Sequence, residues 1–138
     1  MSESARKVFV ARHQVRGYEL DSYGHVNNSI YLNYVEHARW TMIEEAAGSM
    51  SYFKDNGCAP VVARVEIDYK RPCYLGEHLR IETTLLEYRK KVVVFLHKII
   101  KEADGTLATE VRATLVAVDT TTGKTRTMPE DFEQRFGL

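Results

Sequence analysis

The sequence has no surplus of charge: 19 basic and 19 acidic residues cancel to a formal net charge of zero over 138 residues. Chains that bind nucleic acid by neutralising phosphates usually carry a basic excess, so no nucleic-acid partner is expected. Cysteine is scarce. Cys58 and Cys73 stand 15 positions apart, outside any CxxC pattern, and both read as small buried or half-buried residues rather than reactive thiols. Long apolar runs are missing as well. The longest, Val92 to Leu96, is far too short to cross a bilayer, and the polar opening Met1 to Lys7 leads into no apolar signal segment. A reduced, cytoplasmic setting without a membrane span is the expectation. His13, His25, His37, His78 and His97 show no metal-ligand spacing, and neither HExxH nor a glycine-rich phosphate loop occurs; neither a metal nor a nucleotide cofactor is expected. With 44% hydrophobic residues the chain is too apolar to be disordered, and its length suits one domain spanning 1–138.

What is present reads as one strand, one long helix and four more strands. Val8 to Val15 alternates in part and ends at Arg16-Gly17. A loop rich in turn-formers follows (Asp21, Ser22, Gly24, Asn27, Asn28, Ser29), with Asn28 or Ser29 the expected N-cap of a helix. Tyr31, Tyr34, Val35, Ala38, Met42 and Ala46 then recur at helical spacing for about four turns. Ile30, Leu32 and Ile43 widen that face, which predicts a helix enclosed on several sides. Gly48 is the expected stop, and Ser49 to Gly57 reads as a polar connection. Val61 to Tyr69 alternates cleanly, Pro72 and Gly76 mark a turn, and Leu79 to Tyr88 forms the next strand. Arg89-Lys90-Lys91 is a charged turn. Val92 to Ile100 is apolar enough to predict burial on both faces, Asp104-Gly105 signals a hairpin, and Leu107 to Val118 is the last long strand. A polar tail from Gly123 carries a small helix near Pro129.

The order β-α-β-β-β-β, with no helix between the later strands, calls for antiparallel pairing. One long apolar helix beside one antiparallel sheet is accommodated if the sheet curls around the helix. That is an α+β hot-dog fold, one long central helix wrapped by a curved antiparallel β-sheet.

The chemically informative stretch is Glu19 to Tyr31, which joins the first strand to the helix N-terminus. The first amides of a helix lack intrahelical partners, and the dipole makes that end electropositive. A developing oxyanion can be held there. Asp21 lies just upstream, and an ionised carboxylate beside such a pocket can attack a thioester or activate water. His25 can orient the carboxylate, contact the thioester or move a proton. The same residue types also build ordinary strand-to-helix loops: Asp21 can simply satisfy loop amides, and Asn27 and Asn28 can be caps.

The segment Asp21-x-x-Gly24-His25-Val26-Asn27-Asn28-x-x-Tyr31, followed by Tyr34-x-Glu36-x-x-Arg39, resembles the signature of the 4-hydroxybenzoyl-CoA thioesterase-like branch of the hot-dog superfamily. It is also similar to the His-Val-Asn-Asn segment of plant acyl-ACP thioesterases. The resemblance continues through Val61 to Tyr69 and the Pro72 turn, so it covers nearly the whole chain. It implies an acyl-CoA thioesterase that releases a free acid and a thiol, with coenzyme A as part of the substrate and no separate cofactor. It implies Asp21 as the catalytic carboxylate and the Asn28 amide as the group that polarises the carbonyl. The plant-like variant adds His25 and Asn27. Gly24 and Tyr31 of the motif, with Arg64, Lys70, Arg71 and Arg89, are the expected substrate contacts, the cations serving the coenzyme A phosphates. Other hot-dog arrangements place a catalytic Glu on the long helix, for which Glu36 or Glu44 would be candidates. Glu36 and Arg39, at i and i+3, read more simply as a surface pair or interface contact. Tyr69 and Tyr74 read as packing residues and His97 as a core or interface histidine. Trp40 falls opposite the apolar face and suggests a covering subunit; the resemblance implies dimers, often paired into tetramers. The competing readings are an acyl-ACP thioesterase, a non-catalytic acyl-binding or protein-interaction module of the same fold, and a hot-dog dehydratase, whose Asp/His pairing is not found.

Overall fold

The computed structural model describes residues 6–138; the first part of the polar opening, Met1 to Ala5, lies outside the described residues. Strand β1 (Phe9–Gln14) leads through a 3-10 turn (Gly17–Glu19) to the long helix α1 (Ile30–Ala47). A one-turn helix α2 (Tyr52–Asp55) precedes strands β2 (Cys58–Tyr69), β3 (His78–Tyr88), β4 (Val92–Lys101) and β5 (Leu107–Asp119), and helix α3 (Phe132–Phe136) closes the chain. All strand pairs are antiparallel, in the order β1-β3-β4-β5-β2. The β3–β4 turn passes through Lys90 at positive φ, and the β4–β5 hairpin through Gly105.

The helical stripe fixes how α1 lies on the sheet. Tyr31, Tyr34, Val35, Ala38 and Met42 are its buried residues, and Gly48 ends it in the left-handed region at φ 76°, where glycine carries no Cβ penalty. Enclosure on several sides is not what this chain shows. Leu32 and Trp40 are 41% and 53% exposed, because the sheet curls over one face of the helix only. The helix starts at one of the two expected N-caps. Ser29 holds the N-cap position without a side-chain cap bond; Asn27 Oδ1 accepts instead, from Ser29 N and Ser29 Oγ, both at 3.0 Å.

The core is two clusters strung along α1. One, under its N-terminal half, includes Val26, Tyr31, Val35, Ile81, Ile99 and Val111. The other, under its C-terminal half, gathers Met42, Phe95 and Leu115 with Tyr52, Phe53, Phe132 and Phe136. The last four correct the sequence reading. The connection after Gly48 is not merely polar, since Tyr52–Asp55 forms a helical turn, and the expected small helix of the tail, Phe132–Phe136, buries aromatic rings; together they seal the end of the sheet. Between the clusters, the register pair Thr83 and His97 is fully buried.

Strand β4 buries Val93, Phe95, His97 and Ile99 against the helix, while Val92, Val94 and Leu96 on its other face are half-buried. Burial on both faces is therefore only partial, since no second layer covers the outer face of the sheet among the described residues. Strand β2 alternates as expected but is an edge strand, broken by a bulge between Val62 and Arg64. Val61, Val62 and Val65 are 47%, 43% and 38% exposed.

Candidate functional site

The loop from β1 to α1 is a small hairpin of its own. Leu20 and Val26 form an isolated bridge, Asp21 N donates to His25 O at 2.9 Å, and Gly24 N donates to Asp21 O at 3.1 Å. The tip turns at Gly24, whose φ of 85° favours glycine. Val26 N donates to Cys73 O at 2.9 Å, and His25 bridges Tyr74, so the loop is sewn to the segment after β2.

Within it, Asp21 Oδ1 accepts from Tyr23 N at 2.8 Å and from His25 N at 3.4 Å. Oδ2 lies 3.2 Å from His25 Nδ1, with the Asp21 side chain 24% exposed. The carboxylate is thus held by its own loop and by one imidazole, yet keeps an open side. That side faces a cleft of about 550 Å³ lined by Asp21, His25, Val26, Asn28, Tyr31, Tyr69, Lys70, Arg71 and Pro72. The Asn28 N–H donates to no acceptor among the described residues, while Asn28 O accepts from Tyr69 Oη at 2.8 Å. Burial, then the neighbouring Cys73, pushes the Tyr31 hydroxyl well above its ordinary range, so it stays protonated. The cleft therefore joins a carboxylate, an unspent amide at the positive end of a helix, a neutral phenol and two cations. Such a set can hold an oxyanion and supply a nucleophile or base beside it.

Not every residue expected at the site is there. Asn27 does not line the cleft: its side chain is spent on Ser29 and its amide on Glu19 O, at 2.9 Å. Gly24 shapes the loop tip and does not line the cleft either. Lys70 and Arg71 do, anchored by their amides on Ala108 O at the start of β5. Arg64 projects from the middle of edge strand β2 and faces Glu66 at 3.6 Å. Arg89 pairs with Glu87 at 3.3 Å on the β3–β4 turn. That turn sits beside Ala117, about 30 Å along β5 from Ala108 at an extended rise of 3.4 Å per residue. Within one chain, neither Arg64 nor Arg89 reaches the cleft. Tyr69 and Tyr74 pack on neighbours but stay 52% and 48% exposed, Tyr69 against Tyr31 at 5.5 Å on the cleft wall and Tyr74 edge-on to His25 at 6.3 Å.

A second cavity, about 290 Å³, lies further along α1. Met42, Ile43, Phe53, Phe95, Leu115 and Phe132 form its apolar wall, and Glu36, Arg39 and Trp40 stand along its helix side. Glu36 and Arg39 make no ion pair here. Arg39 Nη1 reaches inward to His97 Nε2 at 3.3 Å, and burial pulls the guanidinium below its ordinary range, with Glu36 opposing. Among the described residues no cluster of His, Cys, Asp and Glu could hold a metal, and no helix is long and apolar enough to cross a membrane.

Sequence reasoning missed Tyr69 and Pro72 at the cleft, and also Glu19, a 6% exposed carboxylate two residues before Asp21. The only signal for Glu19 was an acidic residue set between Tyr18 and Leu20.

The pattern of the thioesterase-like superfamily matches residues 15–136. The chain is 32% identical over 123 residues to the long-chain acyl-CoA thioesterase FadM of Escherichia coli, covering 89% of this chain and 92% of that protein. It is 29% identical over 118 residues to the acyl-CoA thioester hydrolase YbgC of Escherichia coli, covering 86% and 87%. Among solved structures, the probable thioesterase YbaW of Escherichia coli superposes with a TM-score of 0.83 at 30% identity, covering 92% of this chain and 95% of that one.

Proposed function

Since the chain belongs to the thioesterase-like superfamily, we propose that it hydrolyses an acyl-CoA thioester to a free acid and coenzyme A. The observation that carries this reading is the shared cleft, in which the Asp21 carboxylate and the unspent Asn28 amide face the same space. The thioester carbonyl oxygen is held by the Asn28 N–H and the positive end of α1, which favours the charge that develops in the transition state. Asp21 acts in one of two ways. It attacks the carbonyl carbon to give an anhydride that water then opens, or it takes a proton from water as the water attacks. In both, the C–S bond breaks and the electron pair leaves with sulfur; in the first the thiolate departs as the anhydride forms and takes its proton from solvent, and in the second the proton Asp21 takes from water passes to the departing thiolate. His25, 3.2 Å from Asp21, orients the carboxylate. No cofactor is needed for this chemistry.

Lys70 and Arg71 suit the coenzyme A phosphates, Arg through its paired donors and Lys as a point charge. The apolar cavity along α1 suits the acyl group; at about 290 Å³ it stands at the small end of the roughly 300–1,000 Å³ usual for small-molecule sites. Edge strand β2, with its exposed valines, suits antiparallel pairing with a second copy, which would remove an unprotected sheet edge. Two free, buried cysteines accord with a reducing, cytoplasmic setting.

The test is thiol release from acyl-CoAs of short, long and aromatic type, with an acyl-carrier-protein thioester in parallel. Asp21→Asn keeps the size and loop hydrogen bonds while removing the charge, and should lower kcat by about 10²–10⁴-fold. Full activity in that variant, or tight acyl-CoA binding without turnover by the unaltered protein, would defeat the proposal.

A further inference from the structure

Glu19 is the most buried carboxylate near the cleft, at 6% exposure, and it lines neither the cleft nor the apolar cavity. A carboxylate is kept out of water only where hydrogen bonds replace its hydration. Here they come from three places. Arg16 N, in the turn, donates to Oε1 at 2.8 Å. Tyr34 Oη, on α1, donates to Oε1 at 2.8 Å. His13 Nε2, on β1, lies 2.8 Å from Oε2 and 3.0 Å from Oε1. Because a carboxylate only accepts, that ring nitrogen carries the proton. The His13 and Tyr34 rings are also in contact, their centroids 4.7 Å apart. Burial works to raise the Glu19 pKa, and the donors outweigh it, leaving the group below the ordinary carboxylate range.

The main chain of the same residue holds the other end of the loop, since Glu19 O accepts from Asn27 N at 2.9 Å. One residue therefore clamps strand β1, helix α1 and both ends of the hairpin that carries Asp21. The carboxylate stands two positions past Glu19, and the open amide of Asn28 one position past the clamped Asn27.

We propose that Glu19 is a positioning residue for the hydrolysis. Its buried carboxylate, anchored on His13 and Tyr34, sets the spacing between Asp21 and the Asn28 amide without touching substrate. This rests on the assignment of Asp21 as the reacting carboxylate. A gap that is wrong by about 1 Å costs on the order of 10²-fold in rate, so the clamp should govern kcat rather than binding.

Glu19→Gln keeps the shape but puts an amide donor where a second acceptor is needed, facing a proton from His13 or Tyr34. Thiol-release kinetics on the folded protein should show kcat lowered roughly 10- to 100-fold with KM little changed. Tyr34→Phe removes one anchor and should give a smaller loss of the same kind. The deciding measurement is the pair of double variants. In the Asp21→Asn background, Glu19→Gln and Tyr34→Phe should each cost almost nothing further, because they act through the carboxylate already removed. Equal losses in both backgrounds, an effect confined to KM, or an unchanged kcat would overturn the proposal. Should Glu19→Gln not fold, Tyr34→Phe alone carries the same comparison. An unaltered protein that releases no thiol would instead bring down the thioesterase reading itself.

Discussion

Lowering the pH from 6.5 to 4.5 should destabilise the fold through one histidine. His97 is fully buried on β4 and paired in register with Thr83. Arg39 can only donate, so the 3.3 Å contact from its Nη1 makes His97 Nε2 the acceptor; the ring proton then sits on Nδ1, which donates to Thr83 Oγ1 at 2.8 Å. Protonating Nε2 would bury a second positive charge against the guanidinium. Burial first, and Arg39 second, push the His97 pKa down from 6.5 to about 3. The folded state therefore stays unprotonated in a range where the unfolded chain binds a proton, and stability falls as pH drops below 6.5. The slope rises from half its limit at pH 6.5 toward 1.4 kcal/mol per pH unit per proton, which integrates to about 2.3 kcal/mol over the two units. At the usual unfolding entropy of about 2.1 cal/mol/K per residue, that is a fall in Tm of about 8 °C. Carboxylates held low, such as Glu19 and Asp131, start from ordinary values of 4.5 and 3.8 and lose most of their contribution below this window. The assay is thermal or urea unfolding at half-unit steps of pH, beside His97→Gln, which can accept from Arg39 and donate to Thr83 without titrating. The difference between the two proteins should grow steadily as pH falls from 6.5. Parallel curves across that range would refute the argument.

Two further outcomes test the site. Gly24→Ala meets no atom within 4 Å of the new Cβ, so its cost is backbone strain alone, about 1 kcal/mol for a non-glycine residue at positive φ. Urea unfolding should show that loss together with a fall in kcat, and unchanged stability would contradict the left-handed turn. Ile43→Phe adds bulk to the wall of the 290 Å³ cavity. It should reduce kcat/KM for the longer acyl-CoAs about tenfold, within the range for small changes in a hydrophobic pocket, while sparing short ones. Equal effects at all chain lengths would mean that the acyl group lies elsewhere.

The gaps in the sequence reading share a physical origin. Tyr52-Phe53 and the Phe132 and Phe136 pair stand in otherwise polar stretches. The small helix near Pro129 could be read, but a single helical turn leaves no period from which the Tyr52 turn, or the burial of these rings, could be. Glu19 carries no local signal of burial, because nothing nearby says that Tyr34, fifteen positions away, will meet it. Alternation in β2 predicts a buried face, and its place at the sheet edge leaves that face open. The cations Arg64 and Arg89 carry the right charge, but only their strand positions decide that they miss the cleft.

Local patterning suffices for the elements themselves. The stripe from Tyr31 to Met42 and the turn at Asp104-Gly105 depend on near neighbours, and so the long helix and its antiparallel strands could be read in order. The Asp21 to Tyr31 motif could be read as a unit for the same reason, since carboxylate, glycine turn and helix start lie within eleven residues. What the tertiary structure alone decided was company: Lys70 and Arg71, and not Arg64 or Arg89, beside Tyr69 at the cleft, Arg39 against His97, and Glu19 between His13 and Tyr34. Those contacts join residues whose separation in the chain carries no signal, and only the curl of the sheet over α1 brings them within reach.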